Sequence, residues 1–133
     1  MLDQFNIGVT LPATDFERAK SWYRDKLGFT PVKEWPAGAR YRSGSSFFDI
    51  YPTSQAGTAK NTAAGWDVED LEAVVEELRS RGVVFEEYDF PGLKTVNGIA
   101  DIDGNYPSKG RGERGAWFHD SEGNLIGIGQ VIR

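Results

Sequence analysis

The chain has 133 residues, a mass of 14.8 kDa and a net charge of −5, which suits one ordinary domain or two small halves sharing a core. It is 39% hydrophobic with 4 Trp, 5 Tyr and 8 Phe, enough apolar surface to offset the entropy of ordering, and its acidity disfavours a nucleic-acid partner. It has no cysteine, which excludes disulfides and thiolate chemistry, and no apolar run near the roughly 20 residues of a membrane span or a basic, apolar leader, so a soluble cytoplasmic protein is expected.

Ile7, Val9 and Leu11 alternate with small or polar residues, the period of a half-buried strand. Thr14 then reads as an N-cap with Glu17 three residues on, a capping box. Phe16, Ala19, Tyr23 and Leu27 mark one helical stripe, and Gly28 stands where a left-handed C-cap belongs. Period-two runs follow at residues 29–35, 39–42 and 47–51, separated by turn residues around Pro36-Ala37-Gly38 and Ser43-Gly44-Ser45. The first half therefore reads strand, helix, strand, strand, strand.

Residues 53–61 are small, polar and aperiodic, and read as a linker. A second half opens with a strand over 63–68. A helix capped by Asp67 or Glu69 follows, with its stripe at Leu71, Val74, Val75 and Leu78, and Gly82 ends it. Strands are expected at 83–87, 115–119 and 125–132, with 96–102 extended and 103–113 a long loop. Each half thus begins strand–helix–strand, and Asp15-Phe16 repeats as Asp70-Leu71 after about 55 residues, too long a period and too few copies for a solenoid. The expected fold class is α+β: two tandem βαβββ modules, about 1–52 and 62–133, forming curved mixed sheets with helices on one face.

The stretch Leu11-Pro12-Ala13-Thr14-Asp15-Phe16-Glu17-Arg18-Ala19, followed by Trp22-Tyr23-Arg24-Asp25-Lys26-Leu27-Gly28-Phe29, resembles the first helix of the vicinal oxygen chelate superfamily. Val68-Glu69-Asp70-Leu71-Glu72 is similar to its second-copy equivalent, and Phe118-His119-Asp120-Ser121-Glu122-Gly123-Asn124 to its final turn. The resemblance covers essentially the whole chain. It includes glyoxalase I, extradiol dioxygenases and the bleomycin-resistance proteins, and it implies a cup-shaped sheet holding a metal or a small molecule.

By that resemblance, metal ligands come from the first strand of each half and from the last strand. Counting seven residues back from Asp15 and from Asp70 gives Gly8 and Ala63, and the glutamate after the final turn falls at Gly127. None of these side chains ligates. No metal and no cofactor is therefore expected, since catalytic divalent sites need about three protein ligands.

Other signals are weaker. Gly110-Arg111-Gly112-Glu113-Arg114-Gly115 spells a dinucleotide fingerprint, but strand-like residues follow it where a helix must open. The carboxylates of Asp101 and Asp103 resemble a calcium loop, yet Tyr106 replaces its obligatory glycine and Gly112 its bidentate glutamate. The acidic run from Glu69 to Glu77 reads as a solvated helix face.

Strand parity sets Gly8, Ala63 and Gly127 opposite Val9, Ala64 and Ile126. It groups Asp49 with Tyr51, and Trp117 with His119. The candidate ligand-binding residues are therefore Trp35, Tyr41, Asp49, Tyr51, Trp117 and His119, with ordinary core filling as the competing explanation. Asp49 and His119, the chain's one histidine, are the candidates for acid–base catalysis. The expected function is metal-free binding of a small aromatic or cationic molecule, a sequestration like that of the bleomycin-resistance proteins. The alternative is an enzyme of the same superfamily, a lyase, dioxygenase or isomerase. Because each half leaves one sheet face to be covered, a homodimer with two equivalent cups is expected.

Overall fold

The computed structural model describes residues 1–103 and 112–133. It divides into two compact units, Met1–Ala59 with Ser121–Asn124, and Lys60–Asp120 with Leu125–Arg133. The final turn therefore belongs to the first unit although it follows most of the second.

In the first unit the order is β1 (Val9–Ala13), α1 (Phe16–Trp22), β2 (Lys33–Trp35), β3 (Gly38–Ser43) and β4 (Ser46–Pro52), with sheet order β1-β4-β3-β2. β1 runs parallel to β4 and the other pairs are antiparallel. Helix α1 starts one residue later than the capping box implies: Asp15, not Thr14, is the N-cap, and its carboxylate accepts the Arg18 amide at 3.0 Å. Glu17 does not close the box; it pairs with Lys20 instead. After Trp22 the helix widens into one π-helical turn, Tyr23–Leu27, which ends at Gly28 with φ 79° as the sequence implies.

Glu122 from the final turn supplies what the capping box does not. Its carboxylate accepts the Asp15 amide at 2.8 Å and the Arg18 guanidinium at 2.9 and 3.2 Å, with its side chain only 1% exposed. Burial pushes its pKa up, but the hydrogen bonds from Arg18, the Asp15 amide and the Ser121 hydroxyl outweigh this and hold it below the ordinary carboxylate value. Beside it Asn124 Nδ2 donates to the Pro12 carbonyl at 2.9 Å. The first unit's core is aromatic: Tyr41 stacks on Phe48 at 5.0 Å between ring centres, and Tyr23 and Phe29 close around that pair.

The second unit contains β5 (Thr62–Asp67), α2 (Leu71–Ser80), β6 (Asp89–Phe90), β7 (Leu93–Val96), β8 (Ile99–Asp103), β9 (Gly112–His119) and β10 (Leu125–Ile132), in the sheet order β5-β10-β9-β8-β7-β6. Asp70, rather than Asp67 or Glu69, caps α2 by accepting the Ala73 amide at 3.1 Å. Leu71, Val75 and Leu78 are buried against the sheet beside Phe118 and Ile126. Gln130 takes the Leu71 amide at 2.8 Å.

Two readings of the second half need correction. Residues 83–87 form no strand; only Phe85 bridges to Phe118. The expected extended stretch 96–102 is a hairpin, turning at Asn97 and Gly98 with φ 53° and 81°, the two positive angles that a type I′ turn requires. Most of the expected loop and of the calcium-like stretch falls on residues 104–111, outside the described residues, while Gly112, Glu113, Arg114 and Gly115 of the fingerprint-like stretch belong to β9 and open no helix.

Candidate functional site

Each sheet has a face under its helix and a helix-distal face. In the first unit the register pairs Tyr41 with Phe48 and Ala39 with Ile50, so these four share the helix side. Tyr41 is 0% exposed there, which removes it from any ligand surface on the opposite face. Its buried hydroxyl has no hydrogen-bond partner among the described residues, and burial raises its pKa.

The distal face of the first unit carries Trp35, Asp49 and Tyr51. The Trp35 ring lies on Gly38, 3.0 Å from where a Cβ would stand. Asp49 is closed into a two-pronged ion pair with Arg40, at 2.8 and 3.0 Å, so both carboxylate oxygens already accept charged donors. Beside this pair the Arg42 guanidinium sits over the Phe47 ring at 4.8 Å. Long side chains and their charges fill this face.

The distal face of the second unit is built differently. Gly65 of β5 pairs with Gly127 of β10, Gly127 with Trp117 of β9, and Gly129 with Gly115. Four glycines thus meet on three neighbouring strands and form a floor with no side chains. The Trp117 indole lies along it: a Cβ on Gly115 would stand 2.9 Å from its ring, and one on Gly127 would stand 3.3 Å from Nε1. The sequence requires glycine here because another ring or backbone approaches closely. Above the floor is a pocket of about 170 Å³, with Asp67 and Glu113 at one end. Tyr88 meets Trp117 edge-on at 5.6 Å and Phe90 stacks on Tyr88 at 5.7 Å, so three rings run in series.

His119 shares this face with Trp117, as strand parity implies. Its Nδ1 lies 2.6 Å from Glu86 Oε1. The Glu86 backbone is held by its N–H donating to the Trp117 carbonyl at 2.8 Å. When the carboxylate accepts from Nδ1–H, Nε2 is left as the ring's acceptor.

The positions that the resemblance assigns to metal ligands do not fit a metal. Gly8 precedes β1 and a Cβ there would meet nothing within 4 Å. Ala63 lies in β5, and the space beside Gly127 is taken by the Trp117 indole and the Thr62 methyl group. Among the described residues no three His, Asp or Glu side chains converge to hold an ion.

Of the expected residues, Trp117 and His119 lie on this face; Asp67, Glu86, Tyr88 and Glu113 beside them are not singled out for it by the sequence. Alternate glycines in 127–129 and 115, facing Trp117, were the available signal for the floor. The partners from 86–88 are not legible because the sequence does not show that this stretch runs beside β9, where the Glu86 amide reaches the Trp117 carbonyl.

No helix among the described residues is long and apolar enough to cross a membrane. No curated protein sequence matches the chain significantly. The fold is similar to a glyoxalase/bleomycin resistance protein/dioxygenase from Alicyclobacillus acidocaldarius, with 12% identity, TM-score 0.71 and 97% and 92% of the two chains covered. A glyoxalase/bleomycin resistance protein from Catenulispora acidiphila gives 25%, 0.62, 96% and 98%. A bleomycin resistance determinant encoded on the transposon Tn5 gives 17%, 0.67, 96% and 98%. The model of the glyoxalase/bleomycin resistance protein/dioxygenase superfamily matches residues 5–128, nearly the whole length. The chain belongs to that superfamily.

Proposed function

We propose that the protein binds a small organic molecule on the distal face of its second unit and sequesters it without a metal. The glycine floor under the Trp117 indole carries this reading. Four glycines withhold side chains from one patch of a sheet, and the indole beside them offers a flat apolar wall of the kind small-molecule sites use. The absence of donor side chains at Gly8, Ala63 and Gly127 supports the metal-independent part.

Quenching of tryptophan fluorescence by a panel of planar aromatic compounds tests the reading. A saturable quench that is lost in Gly127→Val is expected, because a side chain there meets the Trp117 indole and the Thr62 methyl group and displaces the ring. Metal analysis of protein purified without chelator is the second arm, and a stoichiometric metal would overturn the metal-free reading.

A second reading is acid–base catalysis without a metal. The Glu86–His119 pair favours it, since a carboxylate-oriented imidazole beside a ligand platform is suited to moving a proton. If it acts so, a compound that quenches Trp117 will exchange a carbon-bound proton with D2O in the wild type, and His119→Gln will abolish exchange while keeping the quench. We also propose a homodimer. Phe5 and Ile7 are 68% and 98% exposed and lead into β1, an edge strand with Val9 40% exposed, an apolar stretch that a second copy would cover. A mass near that of one chain by light scattering at micromolar concentration would count against it.

A further inference from the structure

Resting on the reading of the second unit's distal face as a ligand site, we propose that the molecule bound there carries a hydrogen-bond acceptor taken by the Tyr88 hydroxyl and, elsewhere on its ring, an N–H or O–H donor taken by His119 Nε2. Both protein groups are aimed by their surroundings and left open. The Tyr88 backbone is tied to the buried Thr95 in both directions: its N–H donates to Thr95 Oγ1 at 2.7 Å, and its carbonyl accepts the Thr95 N–H at 2.9 Å. Its ring is packed edge-on against Trp117 and stacked with Phe90, at 5.6 and 5.7 Å between centres. The hydroxyl at the end of that ring makes no hydrogen bond among the described residues.

The imidazole is oriented by a different neighbour. Glu86, whose amide is anchored on the Trp117 carbonyl at 2.8 Å, meets His119 Nδ1 at 2.6 Å. An ionised carboxylate only accepts, so Nδ1 keeps its proton and the neutral ring offers Nε2 as an acceptor. Nε2 has no partner among the described residues, and the side chain is 47% exposed, open to an incoming group. Tyr88 has the opposite sense. Burial, and then the charge of Glu86, raise its pKa, so the phenol keeps its proton and donates. One carboxylate thus sets the polarity of both groups. His119 and Trp117 share one face of β9, and Tyr88 touches Trp117 there. A ligand lying against those two rings therefore has a donor and an acceptor of the protein within reach of its rim. A plain hydrocarbon ring satisfies neither, and an anion meets the charge of Glu86. A planar carbonyl compound with an amino or hydroxyl substituent satisfies both.

The test is NMR titration at about pH 8, where a histidine is ordinarily neutral, following the Trp117 indole N–H. The probes are 3- and 4-aminoacetophenone, which carry a carbonyl and an N–H donor at two spacings. Their dimethylamino analogues lack the donor, and 3- and 4-ethylaniline lack the carbonyl. One aminoacetophenone should bind with a dissociation constant at or below about 10 mM, an affinity that a molecule of about ten heavy atoms reaches easily. Each of its two analogues should bind about fivefold more weakly, the worth of one hydrogen bond. Tyr88→Phe, which keeps the ring packing, should weaken the aminoacetophenone about fivefold and leave the ethylaniline unchanged, so that the preference for the carbonyl disappears. His119→Phe should erase the preference for the amine in the same way. Glu86→Gln, which lets the imidazole take either tautomer, should narrow the amine preference and spare the carbonyl preference. Equal binding of the probe and its analogues, or preferences that persist in Tyr88→Phe and His119→Phe, overturns the inference. If those equal affinities vanish together in Trp117→Leu, the ligand face itself still stands. If no probe shifts Trp117 saturably, the inference falls and the reading of the face falls with it. Should His119→Phe not fold, Glu86→Gln carries its arm.

Discussion

The two units share the strand–helix–strand opening, yet their helix-distal faces are furnished in opposite ways. In the first, Arg40 and Asp49 clamp each other, Arg42 covers Phe47, and Trp35 lies over Gly38. In the second, Gly65, Gly115, Gly127 and Gly129 carry no side chains, and the Trp117 indole and the Glu113 carboxylate lie over them. The difference also runs through the cores: rings dominate under α1, whereas Leu71, Val75 and Ile126 dominate beside Phe118 under α2. The shared opening leaves each distal face free to be furnished differently. A pocket results where glycine replaces side chains on adjacent strands.

The largest effect is expected where the first unit's core is cut. Phe48→Ala removes the ring stacked on Tyr41 and should cost about 3–5 kcal/mol, read as a drop in the urea midpoint. It should not specifically alter a ligand titration of the second unit under native conditions. Next is Glu122→Ala, which leaves the Asp15 amide and the Arg18 guanidinium without their buried acceptor and should cost about 2 kcal/mol. Because the folded Glu122 carboxyl is held below its ordinary value of 4.5, its contribution is present above that value and is lost as pH falls through the lower folded value. Acid titration of the unfolding midpoint should therefore show a shallower acid limb in Glu122→Gln than in the wild type.

These changes concern positions of unequal legibility in the sequence. Gly28 as a C-cap and the strands near 39–42, 47–51, 63–68 and 125–132 follow from local periodicity and turn chemistry, and the structure has them. Tyr41 was misplaced because its face depends on the β3–β4 register. The two-residue turn at Gly44-Ser45 sets that register by pairing Ser43 with Ser46, which puts Tyr41 opposite Phe48. Asn97-Gly98 is a strong local hairpin signal, and its turn divides the stretch expected to be extended. Glu122 was beyond sequence reasoning, since its contact with Arg18 spans more than a hundred residues of chain. The convergence of Asp67 and Glu113 has the same origin: it arises only when β5, β10 and β9 lie side by side.

The smallest effect is expected at the orphaned hydroxyl in the first core. Tyr41→Phe removes a buried polar group that has no partner among the described residues, so stability should be unchanged or rise by up to about 1 kcal/mol. A loss of more than that amount in the urea midpoint would show that the hydroxyl has a partner.

The proposed ligand face belongs to the second unit and not to the first. The indole N–H resonances of the four tryptophans report both faces in one spectrum, because Trp35 lies on the first unit's distal face and Trp117 on the second's. Titration with a set of planar aromatic fragments, charged and neutral, should shift the Trp117 resonance saturably for at least one member and leave Trp35 in place. Movement of Trp35 with Trp117 unmoved, or no saturable shift at Trp117 with any fragment, would contradict the claim.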